Sequence, residues 1–309
     1  MGNTVKAVVC GQEYTLEYDS STKEYRAVVN APSDSSYQFN SGHYFPVTIT
    51  ATDEASNVTT ISDTQGNFKD NLKLYAKEQI KPKVTEISPS QGAYISTSNP
   101  KIEFTVLDNS NGQASGFSGI DPATISLTVG GTAVSASVIT RTSVTGGYKC
   151  SYTPSAAIAD GNCTITVSVK DYDGNTSDTA SVTFTIDTTP PALDVNSPEN
   201  GIATNNTKII VAGKTSDVNS SPVTVEIKVN GTSQGNATVA ADGSFSKEVT
   251  ITEGVNSITV ISTDKAGRSS TVTRTVTLKT TGPIFKTVSL SPNPVNCGST
   301  YTITVTFEE

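Results

Sequence analysis

The chain of 309 residues is poor in the side chains that most often carry chemistry, because it holds one histidine, one methionine and no tryptophan. Histidine is the side chain that titrates near neutral pH, and it is the commonest metal ligand. The single imidazole, His43, therefore disfavours a histidine-dependent hydrolase triad and excludes a metal site built from several histidines. We expect a protein without enzymatic activity.

Charge is also scarce, since charged residues make up 16% of the chain against roughly 25% in ordinary soluble domains. The formal net charge is −8, and the cations are not clustered. Nucleic-acid binding depends on clustered cations, so we expect no nucleic-acid partner. Apolar runs long enough to cross a bilayer, about 20 residues, are missing, and we expect no membrane insertion. The opening MGNTVKAVVCGQEYTLEY also lacks the basic and apolar regions of a signal peptide.

What the chain does contain favours strands. Hydrophobic residues make up 35%, with 23 glycines and 14 prolines as punctuation, and serine and threonine are abundant. Threonine is at home on half-exposed strands. This composition excludes a helical bundle and a coiled coil, and it indicates an all-β protein with thin cores.

Three stretches of the chain share one order of turns and strands. A hairpin turn recurs as Val9–Gln12, Val129–Thr132 and Val229–Thr232. An alternating run that ends in aspartate recurs as Val47–Asp53, Ile165–Asp171 and Ile258–Asp264. Apolar and polar residues alternate at period two in these runs, which predicts strands with one face in a core. Short strands separated by Asn, Asp, Gly and Pro turns are typical of β-sandwiches.

Proline-containing segments mark the predicted boundaries. Lys81-Pro82 and Thr188–Pro191 separate three modules, and Thr281–Pro283 is a weaker linker. We predict a first module at 1–80, a second at 83–187, a third at 190–281 and a C-terminal segment at 282–309. Because proline fixes φ, the modules are expected to form a semi-rigid rod.

The repeats resemble bacterial immunoglobulin-like domains. The resemblance is carried by Ile186–Pro191 between modules, by Asn196–Gly201, and by the turns Asp171–Asn175 and Asp264–Gly267. It covers residues 84–281 well and residues 1–80 less well. The resemblance implies tandem immunoglobulin-like β-sandwiches, a fold that adhesins, secreted enzymes and phage tail proteins share.

The two ends of the chain are predicted to be incomplete modules. The first module starts almost at once with the counterpart of a third strand, Thr4–Val9, whereas the C-terminal segment holds two strands, Lys286–Ser291 and Tyr301–Phe307. A two-stranded hairpin is marginal in water on its own. One hypothesis is that this C-terminal segment donates its strands to an incomplete module, either in the same chain or in another copy. A different protein of a phage tail could also accept the strands. The interaction residues are then Tyr301, Ile303, Val305 and Phe307. The alternative is a smaller first sandwich with a tail packed on the third module.

One turn has the composition of a calcium site. Asp171, Asp173 and Asn175 offer the alternating oxygen ligands that Ca²⁺ prefers, with Asp187 as an additional candidate. The same residues also suit a tight hairpin turn, and the parallel turn Asp264–Arg268 carries two cations. The calcium site and the plain turn both remain open, and no other cofactor is expected.

The four cysteines are Cys10, Cys150, Cys163 and Cys297. Cys150 and Cys163 share a module and are candidates for a disulfide, whereas the other two are alone in theirs. Secreted disulfide-bonded proteins do not usually leave cysteines without a partner in the same module. This distribution favours four reduced thiols.

The functional hypothesis follows from the resemblance. Extracellular-style modules without an export signal favour a non-enzymatic structural protein of a bacteriophage tail or baseplate, assembled in the host cytoplasm and carried in the virion. It would serve as a spacer or attach to a host-surface glycan or protein. The alternatives are a fragment of a bacterial cell-surface adhesin and an accessory binding module of a carbohydrate-active enzyme.

Overall fold

The structure, a computed structural model, describes residues 3–108 and 116–308. The described residues form β-strands joined by turns, with two short 3₁₀ helices, so the all-β prediction is confirmed. The chain divides into two compact units, Met1–Ile186 and Asp187–Glu309. The module boundaries given above stay predictions, and the names first, second and third module are kept for residues 1–80, 83–187 and 190–281.

The first module is built on one antiparallel sheet in the order β3-β2-β1-β4-β5, with β6 paired to β4. Its buried apolar residues are few, and they include Val5, Phe45 and Leu72. The predicted strand Thr4–Val9 is confirmed. The elements are β1 (Thr4–Val9), β2 (Gln12–Asp19), β3 (Glu24–Arg26), β4 (Phe45–Thr52), β5 (Val58–Ile61), a 3₁₀ helix (Gly66–Phe68) and β6 (Lys73–Leu74).

The second module is a sandwich of two sheets. Their orders are β11-β10-β14-β15-β8 and β12-β13-β9-β7, and one apolar cluster that includes Phe104, Cys150 and Phe184 fills the core. Alternate residues of β14 are buried, as its period-two pattern predicts. The elements are β7 (Lys83–Ser88), β8 (Tyr94–Ile95), β9 (Ile102–Leu107), β10 (Ile120–Val129), β11 (Thr132–Val134), a 3₁₀ helix (Ala136–Val138), β12 (Thr140–Val144), β13 (Gly147–Tyr152), β14 (Gly161–Asp171) and β15 (Ala180–Ile186).

The third module has eight strands in the order β16-β18-β21-β20-β19-β22-β23-β17. A second apolar cluster, which includes Val211, Ile227 and Ile258, forms its core. The elements are β16 (Ala192–Ser197), β17 (Ile202–Thr204), β18 (Lys208–Ser216), β19 (Thr224–Val229), β20 (Thr232–Val239), β21 (Ser244–Thr250), β22 (Gly254–Thr263) and β23 (Ser269–Leu278).

The C-terminal segment is an antiparallel hairpin of β24 (Ile284–Ser291) and β25 (Thr302–Glu308). Every residue of both strands is exposed, so the hairpin is not packed into the core of the third module. Leu290 lies opposite Ile303, Val288 opposite Val305 and Phe285 opposite Phe307. Residues that lie opposite one another share a face of the sheet, so the hairpin presents one apolar face, which we call the hairpin face.

All four cysteines are free in the structure. Cys10 and Cys297 are exposed, whereas Cys150 and Cys163 lie in the core of the second module. Burial raises the pKa of the Cys150 thiol to about 11 and also raises the pKa of Cys163. The two buried thiols are therefore packed as small apolar groups that react slowly.

Two carboxylate centres as candidate metal sites

The first carboxylate centre consists of Glu78, Asp108 and Asp171, each of which offers one oxygen within 4.8 Å of the others. Asp171 is the last residue of β14, and Asp108 directly follows β9. Glu78 belongs to the segment between β6 and β7. Asp108 and Asp171 are buried, at 1% and 2% exposure, and Glu78 is half-buried. Three carboxylates that are remote in sequence thus meet at one end of the second module.

The turn after β14 holds the first centre in place. Asp171 accepts hydrogen bonds from the backbone N–H and the side-chain amide of Asn175, both at 2.8 Å. The Asn175 amide also donates to the Glu78 carbonyl and to its Oε1, at 3.1 Å each. The backbone N–H of Glu78 donates to Asp173 Oδ2 at 3.0 Å. The turn that the sequence singled out therefore connects Glu78 to the second module.

The structure separates the three residues of the predicted calcium turn by role. Asp171 is one of the three grouped carboxylates. Asp173 and Asn175 lie beside the group and are hydrogen-bonded to Glu78. Metal binding by any of the three stays a prediction.

Burial and like charge perturb the first centre. The pKa of Glu78 is raised to about 7, first by burial and then by its hydrogen bond to Asp171. Burial raises the pKa of Asp108 to about 6, and the charges of Asp171 and Asp173 add to the effect. Carboxylates that are desolvated beside other carboxylates resist ionisation unless a cation neutralises them.

The second carboxylate centre consists of Asp187, Asp217 and Asp264, again with one oxygen each within 4.8 Å of the others. Asp217 directly follows β18 and Asp264 directly follows β22. Asp187 is fully buried and Asp264 is 7% exposed. Burial raises the pKa of Asp187, and the charges of Asp217 and Asp264 raise it further.

Local hydrogen bonds orient the carboxylates of the second centre. Asp187 accepts from the backbone N–H and hydroxyl of Thr189, at 3.2 and 2.9 Å, and from the Ser220 hydroxyl. Asp217 accepts from the backbone N–H groups of Asn219 and Ser220, at 2.8 and 2.7 Å. Asp264 accepts from the backbone N–H of Arg268 at 2.9 Å through Oδ1.

Sequence reasoning found Asp171 and singled out Asp187, but it missed Glu78, Asp108 and Asp217 and treated Asp264 as a turn residue. The missed acids share one signal, which is their position beside a strand that recurs between modules. Asp108 and Asp217 directly follow such a strand, and Glu78 lies a few residues before one. Oxygen donors alone, without sulfur or nitrogen, suit a hard cation such as Ca²⁺.

Two family models match parts of the chain that contain five of the six acids of these centres, all but Glu78. Residues 96–188 match the bacterial Ig-like domain, and residues 191–280 match domain B of glucodextranase. A segment of 90 residues is 40% identical to bacillopeptidase F of Bacillus subtilis (strain 168), and the match covers 29% of this chain and 6% of that protein.

Solved structures of related architecture are similar over longer stretches. The fibronectin(III)-like modules of CbhA from Clostridium thermocellum align with a TM-score of 0.41 and 19% identity, over 64% of this chain and 94% of theirs. A structure from a 1.5-MDa bacterial ice-binding adhesin aligns with a TM-score of 0.30 and 20% identity, over 90% of this chain and 87% of that one.

The two family models that match the chain describe modules with an Ig-like fold. Among the residues that the structure describes, no helix is long and apolar enough to cross a membrane. The matches at 96–188 and 191–280 lie on the two modules whose strands and turns repeat most clearly. The tandem Ig-like repeats that the sequence predicted are therefore supported for residues 96–188 and 191–280.

Proposed function

We propose that the chain is a non-catalytic structural protein of a bacteriophage tail or baseplate, where its modules act as a spacer or a host-surface attachment element. The observation that carries this proposal is the exposed hairpin face. Phe285, Val288 and Ile303 are 66%, 62% and 59% exposed although they are apolar. A contiguous apolar surface of this kind is typical of subunits that pair with other subunits.

Particle composition tests the tail assignment. Tail-bearing particles purified from a producing strain by density gradient should contain the intact chain, because a structural component remains in the particle. Tryptic peptides from all three modules and from the hairpin are the expected result by mass spectrometry. A chain that is missing from particles and enriched in the cell-wall fraction would contradict the tail assignment.

A second candidate function is a module of a bacterial surface adhesin or an accessory binding module of a carbohydrate-active enzyme. The specific support is the match of residues 191–280 to domain B of glucodextranase, a domain of a carbohydrate-active enzyme. Retention of the purified chain on insoluble cell-wall glycan would favour this candidate. The retention of purified tail particles on the same glycan is then measured. Retention of the particles would indicate glycan binding by a virion component, whereas retention of the free chain alone would indicate glycan binding by a secreted protein.

We further propose that the hairpin face pairs with the first module of a second copy. That module is built on a single sheet, and a cleft of about 850 Å³ lies beside it, lined partly by Tyr14, Phe39 and Phe45. The sheet ends at two free strands, β3 and β5, which offer unpaired backbone groups. Addition of the hairpin at such an edge would cover apolar surface on both partners.

Subunit number tests this pairing. We expect the full chain to be oligomeric and a chain that ends at Thr281 to be monomeric when both are measured by light scattering after size exclusion. Val305→Ser with Phe307→Ser should dissociate the full chain, whereas Thr304→Ser on the opposite face should not. An equal subunit number for the full and shortened chains would rule out pairing between copies, and pairing only in the presence of another tail protein would move the partner to that protein.

A further inference from the structure

We propose that the second and third modules each bind one Ca²⁺ at the same structural position, the first held by Glu78, Asp108 and Asp171 and the second by Asp187, Asp217 and Asp264. This inference does not depend on whether the chain serves a tail or a cell surface.

The two carboxylate centres occupy equivalent places in two modules. Glu78 lies five residues before the start of β7 at Lys83, and Asp187 lies five residues before the start of β16 at Ala192. The second acid of each centre follows the strand that pairs with that opening strand, namely β9 in one module and β18 in the other. The third acid ends or follows the long strand β14 or β22. Acids that clustered by chance would not be expected at all three equivalent positions of both modules.

Each centre also holds a buried carboxylate oxygen without a hydrogen-bond partner. Within the described residues, Asp108 Oδ1 and Asp264 Oδ2 are inaccessible to solvent and unpaired. The other oxygens of these residues accept backbone hydrogen bonds, from Gly119 at 2.6 Å and from Arg268 at 2.9 Å. Leaving a charged oxygen buried and unsatisfied is costly, and native proteins avoid it unless an ion or water fills the gap.

The spacing of the carboxylates fits one shared calcium ion. Oxygens that coordinate Ca²⁺ lie at about 2.3–2.6 Å from it, so two ligands of one ion are at most about 5 Å apart. In both centres the three oxygens are mutually within 4.8 Å. Ca²⁺ tolerates irregular geometry and completes its shell with carbonyls and water, whereas Mg²⁺ demands near-octahedral geometry.

Hydrogen bonds from outside each centre hold its carboxylates in place. Donors from Asn175 hold Asp171 and Glu78, and donors from Thr189 hold Asp187. Such outer contacts orient metal ligands and are part of built metal sites.

The first module supplies an internal control. Asp53 follows β4 in the place that Asp171 and Asp264 take in the other modules. Its Oδ1 accepts from the backbone N–H groups of Ala55 and Asn57, and its Oδ2 accepts from the Asn57 amide, all at 2.8 Å. Asp53 is exposed and belongs to neither three-carboxylate centre. The turn alone, without the two further acids, is therefore satisfied without a cation.

Isothermal titration calorimetry with CaCl₂ tests the proposal on the full chain after metal is stripped with EDTA. We expect two sites for the wild-type chain, one for Asp108→Asn, one for Asp264→Asn, none for the double variant and two for Asp53→Asn. MgCl₂ should bind at least tenfold more weakly. No heat and no rise in thermal stability at millimolar CaCl₂ would overturn the proposal, and so would two sites in the double variant.

Thermal unfolding in EDTA distinguishes loss of a ligand from misfolding. Asp108→Asn removes one of three crowded carboxylates, so without calcium this variant should unfold at the same or a higher temperature than the wild type. It should also lose the part of the calcium-induced rise that belongs to its centre. A variant that is destabilised in EDTA and still shows the full calcium-induced rise would contradict a ligand role for Asp108.

Discussion

Asn256→Ala should lower the free energy of unfolding of the third module by about 2–4 kcal/mol. Asn256 is fully buried on β22. Its Oδ1 accepts from the Asn230 amide and from the N–H and hydroxyl of Thr252, and its amide donates to the Thr252 and Gly254 carbonyls, over distances of 2.7–3.2 Å. Truncation breaks these five part-buried hydrogen bonds, and each contributes roughly 0.5–1.5 kcal/mol to stability.

Hydrogen exchange of the full chain, followed by mass spectrometry of its peptides, measures the loss of stability within the third module. Peptides that cover β22 and β23 should lose protection by about 30-fold or more, since about 1.4 kcal/mol corresponds to a factor of ten. Asn236→Ala, on the exposed side of β20, is the matched control and should change protection little. Equal loss in both variants, or no loss in either, would show that the Asn256 network does not hold this module together.

Without calcium, the thermal stability of the first unit should fall as the pH rises from about 5 to about 8. A carboxyl group whose pKa is raised by folding stabilises the fold while it is protonated, and its contribution is lost as the pH rises through the folded pKa. For Glu78 that pKa is about 7 and for Asp108 about 6, against ordinary values of 4.5 and 3.8. Carboxylates with lowered pKa, such as Asp53 and Asp70, act in the opposite direction but below about pH 4.

The charged neighbours of the first centre are consistent with this direction. Asp171 and Asp173 both act on Asp108 and raise its pKa. The nearby cations are directed elsewhere, since Lys77 reaches the Asp173 carbonyl at 3.4 Å and Lys81 pairs with Asp178 at 2.7 Å. Calcium should therefore raise the unfolding temperature more at pH 8 than at pH 5, because it stabilises the ionised carboxylates.

Circular dichroism melts at the two pH values, with EDTA and with CaCl₂, measure this effect. Glu78→Gln combined with Asp108→Asn should remove most of the pH dependence of the first unit in EDTA, whereas Asp187, whose pKa is also raised, acts on the stability of the second unit. Stability that rises with pH in EDTA, as ordinary acid denaturation predicts, would contradict the account of the first centre.

The strands of this fold were predictable from the sequence because their period-two pattern is local. The predicted strand Thr4–Val9 matches the observed β1 at both ends, and the predicted strand Lys286–Ser291 ends where β24 ends. Tyr18 and Tyr25 lie opposite each other on β2 and β3 with ring centroids 5.1 Å apart. Alternation of this kind is set within a few residues and needs no tertiary information.

The carboxylate centres could be predicted only in part because their members come from distant parts of the chain. Asp171 was visible in its Asp-rich turn, but Glu78 is 93 residues earlier and stands in a segment without a motif. Strand pairing brings them together, and a single sequence does not report pairing between remote strands. At Asp264 the neighbouring Lys265 and Arg268 favoured a plain turn, yet the structure leaves Asp264 Oδ2 buried and unpaired within the described residues.

The most direct test of the two carboxylate centres is a crystal structure of the full chain grown with CaCl₂, with anomalous scattering collected to identify the ion. We predict one calcium peak in each centre, at about 2.3–2.6 Å from Asp108 Oδ1 in the first and from Asp264 Oδ2 in the second. Water or a shared proton at both positions, with calcium absent from both, would contradict the account.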